Sequence, residues 1–73
     1  MNVTSKATVC YMLAKQKEGG TKKFFRLPLE KRKVAVINQV REVFTDSSLL
    51  EQREILSKAL EITAKDKLEY YPQ

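Results

Sequence analysis

Histidine and tryptophan are missing from this sequence of 73 residues, and cysteine occurs once, as Cys10. Without histidine, the chain lacks the side chain that most often acts as a general base near neutral pH. One cysteine excludes an internal disulfide, and it leaves the scattered acidic residues without a clustered set of metal ligands. We therefore expect no enzyme, no metal site and no cofactor. Because small secreted domains are usually held by cysteine pairs, the composition favours a cytoplasmic location.

Turn-forming residues are also scarce, with two glycines and two prolines. A fold of many short strands needs more turns than these residues provide, so helices are favoured. The longest apolar run, residues 9–14, is far shorter than the roughly 20 residues that span a bilayer. A hydrophobic content of 42% is too high for a disordered chain. The sequence thus predicts one small helical domain over residues 1–73, without a transmembrane segment.

Helical periodicity indicates a compact all-α bundle of three helices, at about residues 5–17, 28–44 and 48–69. The first segment contains β-branched residues and a tyrosine at positions 8–11, so a strand there stays open as an alternative. Cys10 lies in the apolar stripe of this segment, which indicates a small hydrophobic residue of the core.

Capping residues support the helix boundaries. The hydroxyl of Thr4 or Ser5 is expected to cap the first helix, and Gly19-Gly20 to end it. Ser48 stands three residues before Glu51, which is the capping-box spacing. Each of these two side chains would then accept a hydrogen bond from the other residue's backbone N–H.

The third predicted helix is the longest, and we expect its apolar stripe to include Leu49, Leu56, Ala59 and Thr63. Its last turn carries further apolar and aromatic side chains that need cover. A partner protein or a second copy of the chain, in a homodimer through this helix, could cover them, and so could the protein's own core. The candidate protein-interaction residues are Leu68, Tyr70 and Tyr71.

Positive charge is concentrated in the first half of the chain. Residues 1–33 hold nine Lys/Arg and two acidic residues, for a net charge of +7, whereas residues 34–73 hold five and seven, for −2. Such an asymmetry is typical of a basic surface that meets an anionic partner. Eight of the basic residues lie between positions 15 and 33, on either side of two adjacent phenylalanines. The candidate binding residues are Lys15, Lys17, Lys22, Lys23, Phe24, Phe25, Arg26, Lys31, Arg32 and Lys33.

The sequence predicts a loop between the first two helices, and the two phenylalanines lie in it. Adjacent side chains of an extended chain point to opposite sides, so we expect one of Phe24 and Phe25 in the core and the other exposed. An exposed ring among cations could stack on a base, anchor in a protein groove or insert shallowly into a membrane surface.

These patterns favour a small regulator that binds DNA or RNA through residues 15–33. The alternative is an adaptor or inhibitor that docks on an acidic protein surface, through the phenylalanine loop and the end of the third helix. A membrane surface is less favoured. Major-groove reading by the third helix is also disfavoured, because its start offers Leu49, Leu50 and Glu51.

Overall fold

A computed structural model describes residues 2–66 of the chain. Over this range the backbone forms helices and turns and no strand, so the prediction of an all-α bundle is confirmed. There are four helices rather than three: α1 (Val3–Lys17), α2 (Thr21–Arg26), α3 (Leu29–Val43) and α4 (Leu49–Lys65). Within residues 2–66, no helix has the length and apolarity that a membrane span requires.

The first helix begins two residues earlier than predicted. Its N-cap is Asn2, whose Oδ1 accepts a hydrogen bond from the Ser5 N–H at 2.8 Å, so neither Thr4 nor Ser5 has the predicted capping role. The helix runs through positions 8–11, which excludes the alternative of a strand there. It ends as predicted at the two glycines, where the Gly20 N–H donates to the Lys15 carbonyl at 2.9 Å. Gly19 has a φ of +99°, a conformation that favours glycine.

The fourth helix has the predicted Ser48 cap. The Ser48 Oγ accepts a hydrogen bond from the Glu51 N–H at 3.1 Å. The Glu51 carboxylate accepts one from Lys6 Nζ on α1, at 2.7 Å, so this side chain connects two helices. The helix ends at Lys65, because Asp66 has an extended backbone. The prediction of a helix to residue 69 is therefore wrong at Asp66, and residues 67–69 lie outside the described part of the chain.

The region predicted as a loop contains α2, and this changes the positions of the two phenylalanines. Adjacent residues on a helix are about 100° apart, not opposite, so both rings can point toward the same core. Phe24 is 0% exposed and Phe25 is 6% exposed. The prediction of one buried and one exposed ring is therefore wrong. The rings contact each other edge to face, with 5.7 Å between centroids.

The core lies where α1 packs against α3 and α4. Helix α1 contributes small side chains, such as Ala7 and Ala14, that allow the other helices to approach closely. Cys10 belongs to this core, as predicted, and burial raises the pKa of its thiol. The buried hydrophobic residues are Ala7, Cys10, Tyr11, Ala14, Phe24, Phe25, Val36, Val40, Ile55 and Ala59.

The apolar face of α4 is rotated from the predicted one. Ile55, Ala59 and Thr63 are buried, whereas Leu49 is 79% exposed. Ala59 and Thr63 belong to the predicted stripe, and Ile55 does not. The Thr63 hydroxyl donates to the Ala59 carbonyl at 2.7 Å, which satisfies this polar group inside the core.

Candidate functional site

Helix α2 separates its aromatic side chains from its basic ones. Phe24 and Phe25 point into the core. Around the helix axis, Lys22, Lys23 and Arg26 lie within roughly 70° of the direction opposite to the two rings. All three are exposed. The short helix therefore presents three cations outward while its two rings hold it against the bundle.

Few side chains in residues 2–66 compensate these charges. Most other lysines in the described chain have a carboxylate partner, as in the pairs Lys6–Glu51 at 2.7 Å and Lys58–Glu61 at 3.6 Å. Within residues 2–66, seven basic side chains have no hydrogen bond, ion pair or ring contact, and five of the seven lie between positions 22 and 33. The seven are Lys22, Lys23, Arg26, Lys31, Lys33, Arg41 and Arg53.

Two of the predicted binding residues are engaged inside the protein. Lys15 Nζ lies 3.2 Å from Asp66 Oδ2 and 4.5 Å from the centre of the Tyr11 ring. Lys17 Nζ lies 3.2 Å from a carboxylate oxygen of Glu42 on α3. The Lys15 contact is largely buried and joins the end of α4 to α1, so we assign Lys15 a structural role. The Lys17 pair is exposed, where such pairs contribute little to stability.

Arg32 is held in place by neutral groups. Its Nε–H donates to the Leu27 carbonyl at 3.2 Å, and its guanidinium carbon lies 5.1 Å from the centre of the Phe25 ring. These contacts hold the guanidinium against the protein without a carboxylate partner. The side chain is half-buried, and within residues 2–66 its two terminal Nη groups form no hydrogen bond or ion pair that would compete with a ligand.

The three consecutive basic residues of α3 do not share one face. Lys31 and Lys33 are about 160° apart around the helix axis, and Arg32 is about 100° from each of them. Lys31 is exposed and lines a shallow groove of about 470 Å³ together with Leu27 and Glu18. Lys33 is half-buried on the other side of α3. We therefore define the basic surface as Lys22, Lys23, Arg26, Lys31 and Arg32, without Lys33.

Acidic residues near the basic surface are few. Glu18 follows α1, and Glu30 lies in the first turn of α3, where a carboxylate interacts favourably with the helix dipole. Both are exposed, and neither has a side-chain partner within residues 2–66. Neither forms an ion pair with the basic surface, so the positive charge of its five side chains is not compensated by these carboxylates.

Aromatic rings are not presented beside these cations in the described chain. Phe24 and Phe25 support the basic surface from inside, which corrects their prediction as residues that contact a partner directly. Tyr11 is buried, and Phe44 is half-buried beneath Lys6 Nζ, which lies 5.5 Å from the ring centre. The predicted protein-interaction residues lie outside the described residues: Leu68, Tyr70 and Tyr71.

Metal-binding geometry and strongly perturbed acid–base groups do not occur at this surface. In the range 2–66, no three His, Cys, Asp or Glu residues are grouped as metal ligands. The acidic groups with lowered pKa values are elsewhere: the hydrogen bond from Lys6 lowers the pKa of Glu51, and that from Lys65 lowers the pKa of Glu61. The chemistry that the basic surface offers is the binding of anions.

Comparison with known proteins gives no relative for this chain: no family model, no curated protein and no solved structure matches it. The function is therefore inferred from the basic surface alone.

Proposed function

We propose that this protein binds nucleic acid through the basic surface, as a small non-enzymatic regulator. The observation that carries the proposal is that none of the five cations of this surface forms an ion pair within residues 2–66. The described chain neutralises most of its other lysines internally. A surface whose charges are left uncompensated favours a polyanionic partner, because binding releases the partner's condensed counterions.

The fold supports the proposal by the way it holds these residues. Lys22 and Arg26 are one turn apart on the outer side of α2, and Arg32 is fixed against Phe25 at the start of α3. Because these side chains belong to helices anchored in the core, little backbone ordering is needed on binding. A partner with repeated negative charges can contact several of them together.

The alternative, docking on an acidic protein, loses one of its supports. It relied on an exposed phenylalanine as an anchor, and both rings are buried. A membrane surface loses the same support, because the two phenylalanines that would insert are buried. The binding experiment therefore includes an acidic protein and a membrane surface as alternative ligands.

The proposal is tested by fluorescence anisotropy with a labelled 20-bp DNA duplex at low salt. We expect binding by the native chain and a loss of about tenfold in affinity for the double variant Lys22→Ala/Arg26→Ala. The matched control is Arg41→Ala/Arg53→Ala, which removes two exposed, unpaired cations elsewhere and lowers the net charge of +5 by the same amount. We expect the control to lose less than twofold.

Two results would contradict the proposal. Absence of binding to duplex and single-stranded DNA and RNA at low salt would exclude nucleic acid as the partner. An equal loss of affinity in both double variants would show that net charge, and not this surface, attracts the nucleic acid. Anionic vesicles and an acidic protein, tested in the same buffer, show whether either binds better.

A further inference from the structure

The arrangement of rings and cations also bears on the form of nucleic acid that the basic surface accepts. Proteins that bind single strands combine a positive groove with aromatic side chains on which the bases stack. Proteins that bind a double helix without sequence preference need only cations that reach its phosphates. The two modes differ in whether aromatic rings are exposed beside the cations.

The first mode has no support in the described chain. Phe24 and Phe25 point into the core, and Tyr11 is also buried. Phe44 is half-buried, and its ring contacts Lys6 rather than any residue of the basic surface. Among residues 2–66, a ligand on the basic surface therefore meets ammonium and guanidinium groups and no stacking ring.

Base reading in a groove is also disfavoured by the shape of the surface. Helix α2 has six residues, so its length is about 9 Å, which leaves little of it to follow a major groove. Three of the five cations are lysines, which bind as point charges and do not match base edges in a bidentate way.

We propose that the ligand of the basic surface is the phosphate backbone of a double helix, bound without preference for base sequence. This inference rests on the proposed function and specifies its ligand. Lys22, Lys23 and Arg26 contact phosphates from α2, and Lys31 and Arg32 contact them from the start of α3. With five phosphates neutralised, the logarithm of the binding constant falls against the logarithm of the salt concentration with a slope no steeper than about −4.5.

The test is a binding panel for the native chain: two 20-bp DNA duplexes of unrelated sequence, a 20-bp RNA duplex and a 20-nucleotide oligo-dT. We expect the three duplexes to bind within about threefold of one another, and oligo-dT to bind at least fivefold more weakly. The salt slope is measured on one DNA duplex.

The binding panel separates failure of the duplex inference from failure of the proposed function. Oligo-dT binding more tightly than the duplexes would overturn this inference and leave the proposed function intact. A difference above tenfold between the two DNA sequences would do the same, because it requires base contacts. If none of the four ligands binds at low salt, the proposed function itself is wrong. Tyr70→Ala/Tyr71→Ala serves as a second variant, and its duplex affinity is expected to stay within twofold of the native value.

Discussion

The guanidinium of Arg32 lies over the Phe25 ring, with 5.1 Å from its central carbon to the ring centre, and its Nε–H donates to the Leu27 carbonyl. The ring is also approached by Lys15 Nζ, at 5.5 Å from its centre. Phe25 thus links the core to the basic surface: its ring is buried, and it determines where Arg32 lies.

Replacing Arg32 by lysine tests whether this placement matters for binding. Arg32→Lys keeps the charge and removes the planar group that stacks and donates at the same time. We expect a loss of about 1 kcal/mol in the free energy of unfolding. We also expect duplex affinity to fall about threefold with an unchanged salt slope. Arg41→Lys is the matched control, since Arg41 is exposed, lies outside the basic surface and has no side-chain partner in residues 2–66. An Arg32→Lys variant with native affinity would show that only the charge is used.

Replacing Phe24 by alanine tests the burial of the rings. Because Phe24 is fully buried, Phe24→Ala is expected to lower the free energy of unfolding by about 3–5 kcal/mol. Urea denaturation followed by circular dichroism measures this loss. The control is Leu50→Ala, whose side chain is 69% exposed and whose effect is expected to stay within about 0.5 kcal/mol. Equal stability of the two variants would place Phe24 outside the core.

The contact between Tyr11 and Asp66 is tested by a double-mutant cycle. The Tyr11 hydroxyl donates to Asp66 Oδ2, which also pairs with Lys15 and joins the end of α4 to α1. We compare Tyr11→Phe, Asp66→Ala and the double variant by thermal and urea unfolding. The coupling energy is expected to be about 1 kcal/mol. A coupling energy indistinguishable from zero would mean that the two side chains do not interact in solution.

The ion pair between Glu51 and Lys6 predicts a pH dependence. The hydrogen bond from Lys6 lowers the pKa of Glu51 in the folded protein. The unfolded chain therefore binds a proton at higher pH, so the pair stabilises the fold above the unfolded pKa of about 4.3. This contribution is lost as the pH falls through the lower folded value. NMR titration of the Glu51 carboxyl carbon measures the shift, and Lys6→Met should return the pKa toward its ordinary value. An unchanged pKa in Lys6→Met would contradict the pair.

Local signals in the sequence predicted the helices well, because they act within one turn. Ser48 caps α4, the two glycines end α1, and Cys10 lies in the core. The prediction for the phenylalanines is wrong because it assumes an extended segment between the glycines and Pro28, in which successive side chains point to opposite sides. On a helix, successive side chains are about 100° apart, so both rings can point into the core.

Tertiary packing determined the other differences. The buried face of α4 includes Ile55 and excludes Leu49, whose side chain is 79% exposed. Which cations are neutralised also depends on distant residues, since Lys6 pairs with a residue 45 positions away. The sequence predicted the basic region, whereas the distinction between paired and unpaired cations required the structure.

The salt dependence of duplex binding shows whether the cations of the basic surface contact phosphates. Each phosphate contact contributes about −0.9 to the slope of the logarithm of the binding constant against the logarithm of the salt concentration. Lys22→Ala/Arg26→Ala is expected to make the slope shallower by about 1.8, and Arg41→Ala/Arg53→Ala to leave it unchanged. Equal slopes for the native chain and Lys22→Ala/Arg26→Ala would show that these cations do not contact phosphates, and would contradict the account.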